Sequence, residues 1–335
     1  MGARPSPGFA AAERARRLHE PVPRVVTIFY EVPSEYEALT QTCGLVDRSE
    51  RGKLALTGAD AKEFLNGQVT QDITQLTPGH GAYAALLTNK GKMLADLRVL
   101  DTGDALLLDT ERAGLQELFN AIRRFSVGYD VTLHKRTLEY GQLSLIGPEA
   151  DALARKAGFS VPGPAEHDHV NGVVRTDLGL DLFAPTGEVG ALSQGLADAG
   201  AVPVSEQSAE TLRVERGRPR YGVDLDDSVI PQEAGLNERA VSFTKGCYVG
   251  QETVARLYYR GKPNRRLCGL KLSEPAPAGT EFSYEERVVA ALSSVADSPR
   301  FGPVGLALVR RNAPVGARLD SGSGVAAEVV ELPFT

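Results

Sequence analysis

The segment Lys245-Gly246-Cys247-Tyr248-Val249-Gly250-Gln251-Glu252 sets a thiol between glycine and tyrosine, two residues after a lysine and just ahead of a predicted helix. The thiolate is the nucleophile and metal ligand of cysteine chemistry. Free amides at a helix N-terminus and a nearby cation both favour it. Cys247 therefore reads as a functional thiol, with Lys245 and Tyr248 as the neighbours that shape its surroundings. The competing reading, a small buried apolar group, is disfavoured by the polar and glycine neighbours. The helix is predicted from Gln251, with Val254, Leu257 and Tyr258 on a buried face and Glu252 and Arg256 spaced i, i+4 to pair.

A second stretch, Thr88 to Asp96, gives a tight turn at Asn89-Lys90-Gly91 and then a carboxylate on a strand. If Leu97 faces the core, Asp96 faces the other side, where it is able to hydrogen-bond an amidine-like ring such as a pterin. On the residues alone, an exposed strand charge beside a lysine turn is the simpler reading. A third stretch, Arg213 to Asp224, carries four arginines within eight residues, tempered by Glu215 and Asp224. It reads either as a site for a polyanionic tail or as a solvated, internally paired face. His167-Asp168-His169, the only close histidine pair, reads as an exposed loop rather than a metal site, because further ligands are missing.

The elements that must position these residues belong to a globular protein. The 335 residues are 42% hydrophobic and 24% charged, and the length suggests two or three domains. The net charge, 37 − 43 = −6, argues against nucleic-acid binding as the main activity. No apolar run approaches the roughly 20 residues of a membrane span. Three distant cysteines make no disulfide framework and fit a reducing, cytoplasmic setting, with no metal site expected. Residues 1–24 read as a disordered leader despite a bare myristoylation pattern at Met1–Ser6, and they lack the apolar stretch of a secretory signal.

Strands are predicted at Val25–Tyr30, Lys53–Thr57, Tyr83–Thr88, Lys92–Leu100, Asp104–Leu108, Val131–Leu133, Leu138–Ile146 and Val173–Phe183. Asp60 has capping-box spacing before a helix carrying Phe64 and Leu65, and Thr110 is placed to cap another. That second helix shows an apolar stripe of Leu115, Leu118, Phe119 and Ile122. Further helices are expected at Pro148–Ala157, Gly190–Ala199 and Ala209–Glu215. After Gly261 the pattern changes to short alternating runs separated by Gly/Pro turns, a small all-β unit. The fold class is α+β.

In this order, the three stretches resemble the folate-binding family of the glycine-cleavage T-protein, or aminomethyltransferase. Within it they resemble the branch called YgfZ, linked to iron–sulfur cluster maintenance. The branch signature, K-G-C-Y-x-G-Q-E followed by an arginine, is matched by Lys245 through Glu252 with Arg256. Gly44–Ser49, Thr57–Asp60, Phe64–Thr70 and Leu212–Asp224 look like further family blocks, so the resemblance spans about residues 25–335. It implies a three-domain ring, or cloverleaf, with tetrahydrofolate at its centre. The implied folate-binding domain is discontinuous, 25–50 with 136–250. A second α+β domain covers 51–135 and a C-terminal β-barrel 260–335. Asp96, Asn89, Lys90, Glu215, Arg216 and Arg256 are the implied folate contacts.

The chain departs from the T-protein at two places. Ala95 replaces one carboxylate of the G-G-x-x-D-D turn, and the pterin-clasping stretch G-Y-T-G-E has no copy near Arg175–Asp181. The resemblance thus implies a monomeric tetrahydrofolate-binding factor, not a conventional enzyme, that assists iron–sulfur assembly or repair in transient client proteins through Cys247. The alternatives are a folate-dependent one-carbon transferase using Asp96, and a folate-sensing scaffold.

Overall fold

The computed structural model describes residues 34–335; the expected leader and the strand at Val25–Tyr30 lie outside the described residues. Helix α1 (Glu35–Gln41) opens on a capping box, in which Ser34 Oγ accepts from the Glu37 amide and the Glu37 carboxylate accepts from the Ser34 amide. Strand β1 (Gly44–Asp47) precedes β2 (Gly52–Thr57), α2 (Ala61–Gln68), β3 (Gly81–Leu87), β4 (Met93–Asp101) and β5 (Leu106–Thr110). Next come α3 (Leu115–Phe125) and β6 (Thr132–Lys135).

Strands β2 to β6 form a five-stranded sheet in the order β3-β4-β5-β2-β6. Alternation along the strands places Leu54, Leu56, Ala84, Leu86, Leu97, Val99 and Leu108 on one face, where they meet Phe64 and Leu65 of α2 and Leu118 and Ile122 of α3. The predicted α3 stripe is this contact. The same period of two sends Lys53, Tyr83, Asp96, Arg98 and Asp109 to the opposite face. Two expected caps differ. The Asp60 carboxylate makes no cap bond and instead accepts from the Asp130 amide at 2.8 Å. Thr110 ends β5, and its hydroxyl donates to the Asp96 carbonyl at 2.5 Å.

The chain continues through β7 (Tyr140–Ile146), α4 (Ala150–Lys156), β8 (His169–Val170), β9 (Val173–Arg175), β10 (Gly179–Pro185), α5 (Val189–Ala199) and β11 (Val202–Pro203). These strands join β1 in a six-stranded sheet, β11-β1-β7-β10-β9-β8. The strand expected over Val173–Phe183 is two antiparallel strands, because the Thr176 amide donates to the Gly179 carbonyl and closes a tight turn. Leu143, Leu145, Leu180 and Leu182 pack under α4 and α5, and the alternate residues Gln142, Ser144 and Asp181 face the other way.

Helices α6 (Glu206–Glu215), α7 (Asn237–Ala240) and α8 (Gln251–Arg260) lead to the final unit. There β12 (Arg265–Leu272), β13 (Glu281–Tyr284), β14 (Arg287–Ser298), β15 (Gly302–Arg310), β16 (Arg318–Asp320) and β17 (Ala326–Val330) close an antiparallel barrel. Its interior holds Leu270, Phe282, Leu292, Val309, Leu319 and Val329. The α+β class and the C-terminal β-barrel are thus as read from the sequence. Among the described residues no helix is long and apolar enough to cross a membrane.

Candidate functional site

The polar faces of the two sheets meet, and Arg98 bridges them. Its guanidinium bonds Asp109 on β5 and Asp181 on β10, both at 2.6 Å, and Ser144 completes Asp181 at 2.6 Å. Arg51 donates to both oxygens of Asp109, at 2.9 and 3.0 Å. Burial opposes ionisation of Asp109, but the two guanidiniums outweigh it and hold the carboxyl well below the usual range.

Above this layer lies a cavity of about 180 Å³. Asp96 lines it and is buried, not an exposed strand charge, because a second sheet covers its face. Tyr83 donates to Asp96 Oδ2 at 2.6 Å. Burial dominates the Asp96 environment and pushes its carboxyl up to about 6, and it holds the Tyr83 phenol protonated.

The facing wall comes from the histidine loop, which the sequence reads as exposed, and from two residues that it does not single out, Glu166 and Arg239. Glu166 and His167 both line the cavity, so this loop is not simply exposed: the polar run folds inward because Asp168 is fastened by His80 Nδ1 and the Ala165 amide. Arg239 of α7 donates to Glu166 Oε1 at 2.5 Å and lies over the Tyr83 ring, 5.4 Å from its centroid. A polar E-H-D-H run between glycines and prolines was the only available signal for this wall. Arg239 had none.

Other predicted contacts lie elsewhere. Glu215 is buried but accepts from Tyr36 Oη at 2.9 Å and Ser298 Oγ at 2.5 Å, and with Arg216 it lines a separate cleft of about 1060 Å³. The arginine stretch is mostly paired. Arg213 bonds Glu210 and Asp224, Arg220 bonds Glu206 and Glu210, and Arg218 bonds Asp177. The internally paired reading therefore describes it better than an open polyanion site.

Two of the sequence motifs do meet. The Thr88–Lys92 turn, with Asn89 and Lys90 exposed, packs on the loop before α8. Gly91 (φ +74°) and Gly250 (φ +85°) make this approach possible: a Cβ on Gly250 would lie 2.5 Å from the Thr88 carbonyl, and one on Gly91 would lie 2.9 Å from Thr253 Cβ.

Within that loop, Lys245 and Tyr248 are buried anchors on either side of exposed Gly246 and Cys247. The Lys245 ammonium caps the end of α2, donating to the carbonyls of Asn66, Val69 and Gln71 at 2.5, 2.9 and 2.8 Å. Tyr248 joins the apolar cluster of Leu87, Met93, Leu236 and Val254. Lys245 is thus spent on backbone carbonyls, and α8 begins only at Gln251, four residues past Cys247. Cys43 and Cys268 are buried, leaving Cys247 the exposed thiol. Tyr258, expected in the buried face of α8, is half-exposed and stacks on Phe243 at 3.7 Å. Glu252 and Arg256 are both exposed and form no ion pair among the described residues.

Two helix-backed sheets joined by their polar faces around a carboxylate-lined cavity, with a closed barrel appended, define a mixed α/β protein of aminomethyltransferase fold. A solved aminomethyltransferase T of the glycine cleavage system, from Bartonella henselae, superposes with a TM-score of 0.81 at 25% identity, covering 90% of this chain and 88% of that one. Residues 10–161 match the GCVT N-terminal domain. An aminomethyltransferase of Rubrobacter xylanophilus is 30% identical over 320 residues, 90% of this chain and 86% of the relative. A chloroplastic protein of Arabidopsis thaliana, described as a transferase, is 27% identical over 92% of this chain and 75% of its own length. The chain belongs to the aminomethyltransferase family.

Proposed function

We propose that this protein binds tetrahydrofolate in the Asp96 cavity and assists assembly or repair of iron–sulfur clusters in client proteins through Cys247. The observation that carries the second part is the placement of Cys247. It is the exposed cysteine among three, held outward between the buried anchors Lys245 and Tyr248. A cluster takes four protein ligands as a rule, so one presented thiol is a transient contact and the client supplies the rest. The test is complementation of a deletion strain with Cys247→Ala. Loss of cluster-enzyme activities at normal protein level is the expected outcome, and full rescue removes the thiol role.

The residues around the cavity fit the head group of a folate. Its volume is below the roughly 300–1,000 Å³ of whole-ligand sites, which suits a bicyclic ring with the remainder of the ligand outside. Asp96, Glu166 and His167 line it, and the first two bring carboxyl groups to the ring's donors. When bound, the folate supplies the nitrogens that carry a one-carbon unit.

A second reading, one-carbon transfer, is favoured by a single observation. The Asp96 carboxyl, raised to about 6, is matched to proton transfer near neutral pH. Turnover of an aminomethyl donor with tetrahydrofolate, lost in Asp96→Asn and retained in Cys247→Ala, would establish it.

A further inference from the structure

The stretch that clasps the pterin in the T-protein has no copy near Arg175–Asp181, where Thr176, Asp177, Leu178 and Asp181 line the cavity beside Asp96. The loop before β8 adds a further wall. His167 sits at φ +74°, a conformation uncommon for a residue with a side chain. It is held there by backbone bonds, from the His167 amide to the Arg175 carbonyl at 3.0 Å and from the His169 amide to the Gly79 carbonyl at 2.8 Å. The Asp168 carboxylate ties the same loop to His80, in the segment leading into β3, at 2.7 Å. The strain is thus imposed from both sides of the residue.

What the strain achieves is the placement of an unmatched polar atom. His167 is 8% exposed, and its Nδ1 is buried without a hydrogen-bond partner. Buried polar atoms are nearly always paired, and one that is not calls for a reason. Burial lowers His167 to about 3, so the ring is neutral, with one donor and one acceptor nitrogen. Beside it, Glu166 gives Oε1 to Arg239 and keeps capacity on its other oxygen. Arg239 in turn lies over the ring of Tyr83, which holds Asp96. Glu166, His167, Arg239, Tyr83 and Asp96 are therefore one connected set around one cavity.

We propose that Glu166 and His167 form the ring-reading edge of this cavity, in place of the absent clasping stretch. The Glu166 carboxylate takes the two adjacent N–H donors of a 2-amino-4-oxo heterocycle, a pairing that a carboxylate satisfies with two charge-assisted bonds. His167, whose Nδ1 is closed off from the cavity, positions that carboxylate. The assignment rests on the folate reading above and extends it to residues outside the family pattern.

Calorimetric titration of the full chain with tetrahydrofolate, and with its analogue lacking the 2-amino group, separates the possibilities. Wild type should bind tetrahydrofolate more tightly than the analogue. Glu166→Gln should weaken tetrahydrofolate by about 10- to 100-fold, the scale of a lost charged hydrogen bond, and weaken the analogue, which keeps only one of the two donors, by less. His167→Asn, which tolerates the left-handed backbone, should weaken both ligands. Undiminished tetrahydrofolate binding by Glu166→Gln overturns the proposal and leaves the folate reading standing. Equal weakening of both ligands by Glu166→Gln also overturns it, since Glu166 then acts only through the shape of the cavity. No binding to wild type overturns both. If Glu166→Gln does not fold, the two ligands on wild type decide: equal affinity overturns the proposal.

Discussion

At the scale of single residues, burial divides the three thiols and sets opposite demands on the anchors of one loop. Cys43 is buried and pushed up to about 12, and burial also raises Cys268. Native-state alkylation followed by mass spectrometry should therefore label Cys247 first and the other two only on unfolding. Prompt labelling of Cys43 would contradict the packing. Replacing Cys247 by Ser should leave the unfolding midpoint unchanged. Lys245→Met should destabilise by about 2–3 kcal/mol in denaturant unfolding, because three carbonyls at the end of α2 lose their donor. Asp96 offers a signed pH test. Its folded pKa lies above its unfolded value, so its contribution is fully present below about 4 and is lost as pH rises through 6. Asp96→Asn should thus gain stability relative to wild type as pH rises from 4 to 7, by on the order of 2–3 kcal/mol. A pH-independent difference would refute the assignment.

At the scale of elements, the two glycines that lock the Thr88–Lys92 turn against the start of α8 carry a prediction of their own. Gly250→Ala must adopt φ +85° and push against the Thr88 carbonyl, so thermal unfolding should shift down by the equivalent of about 1–3 kcal/mol. Much at this scale was legible in the sequence. Short apolar runs between turns located β2 to β5, the i, i+3, i+4 stripe located α3, and the Gly/Pro-spaced runs after residue 261 located the barrel. Illegible features share a physical cause, which is that a partner distant in sequence decides them. Asp60 was spaced for a helix cap, yet the Asp130 amide takes its carboxylate. Asp96 and the E-H-D-H run read as solvent-facing polar residues; Asp96 lines a cavity because a second sheet covers its face, and Glu166 and His167 line it because Asp168 fastens their loop to His80. Glu215 stood beside the arginines in sequence, but Tyr36 and Ser298 draw it into another cleft.

At the scale of the whole molecule, alternating charges run without a break from one sheet to the barrel. Asp181 bonds Arg98, which shares Asp109 with Arg51, and Arg51 also reaches Glu111. Glu111 faces Arg220, which bonds Glu206 and Glu210. Glu210 bonds Arg213, and Arg213 bonds Asp224 and Ser294 of β14. Asp109 is the fully buried member near one end, with no exposed surface. Its folded pKa is depressed, so its stabilisation is present above the unfolded value near 4 and is lost as pH falls below it. Asp109→Asn leaves two guanidiniums facing a neutral amide, which should cost about 3–5 kcal/mol at pH 7, the scale for breaking a buried pair. Denaturant titrations of wild type and variant at pH 7 and pH 3 check this. The gap between them should narrow at pH 3, because the unfolded wild-type carboxylate then takes up a proton while the folded one stays ionised, which favours unfolding of the wild type alone. A gap as wide at pH 3 as at pH 7 would mean that Asp109 holds the two sheets by shape and hydrogen bonding rather than by its charge.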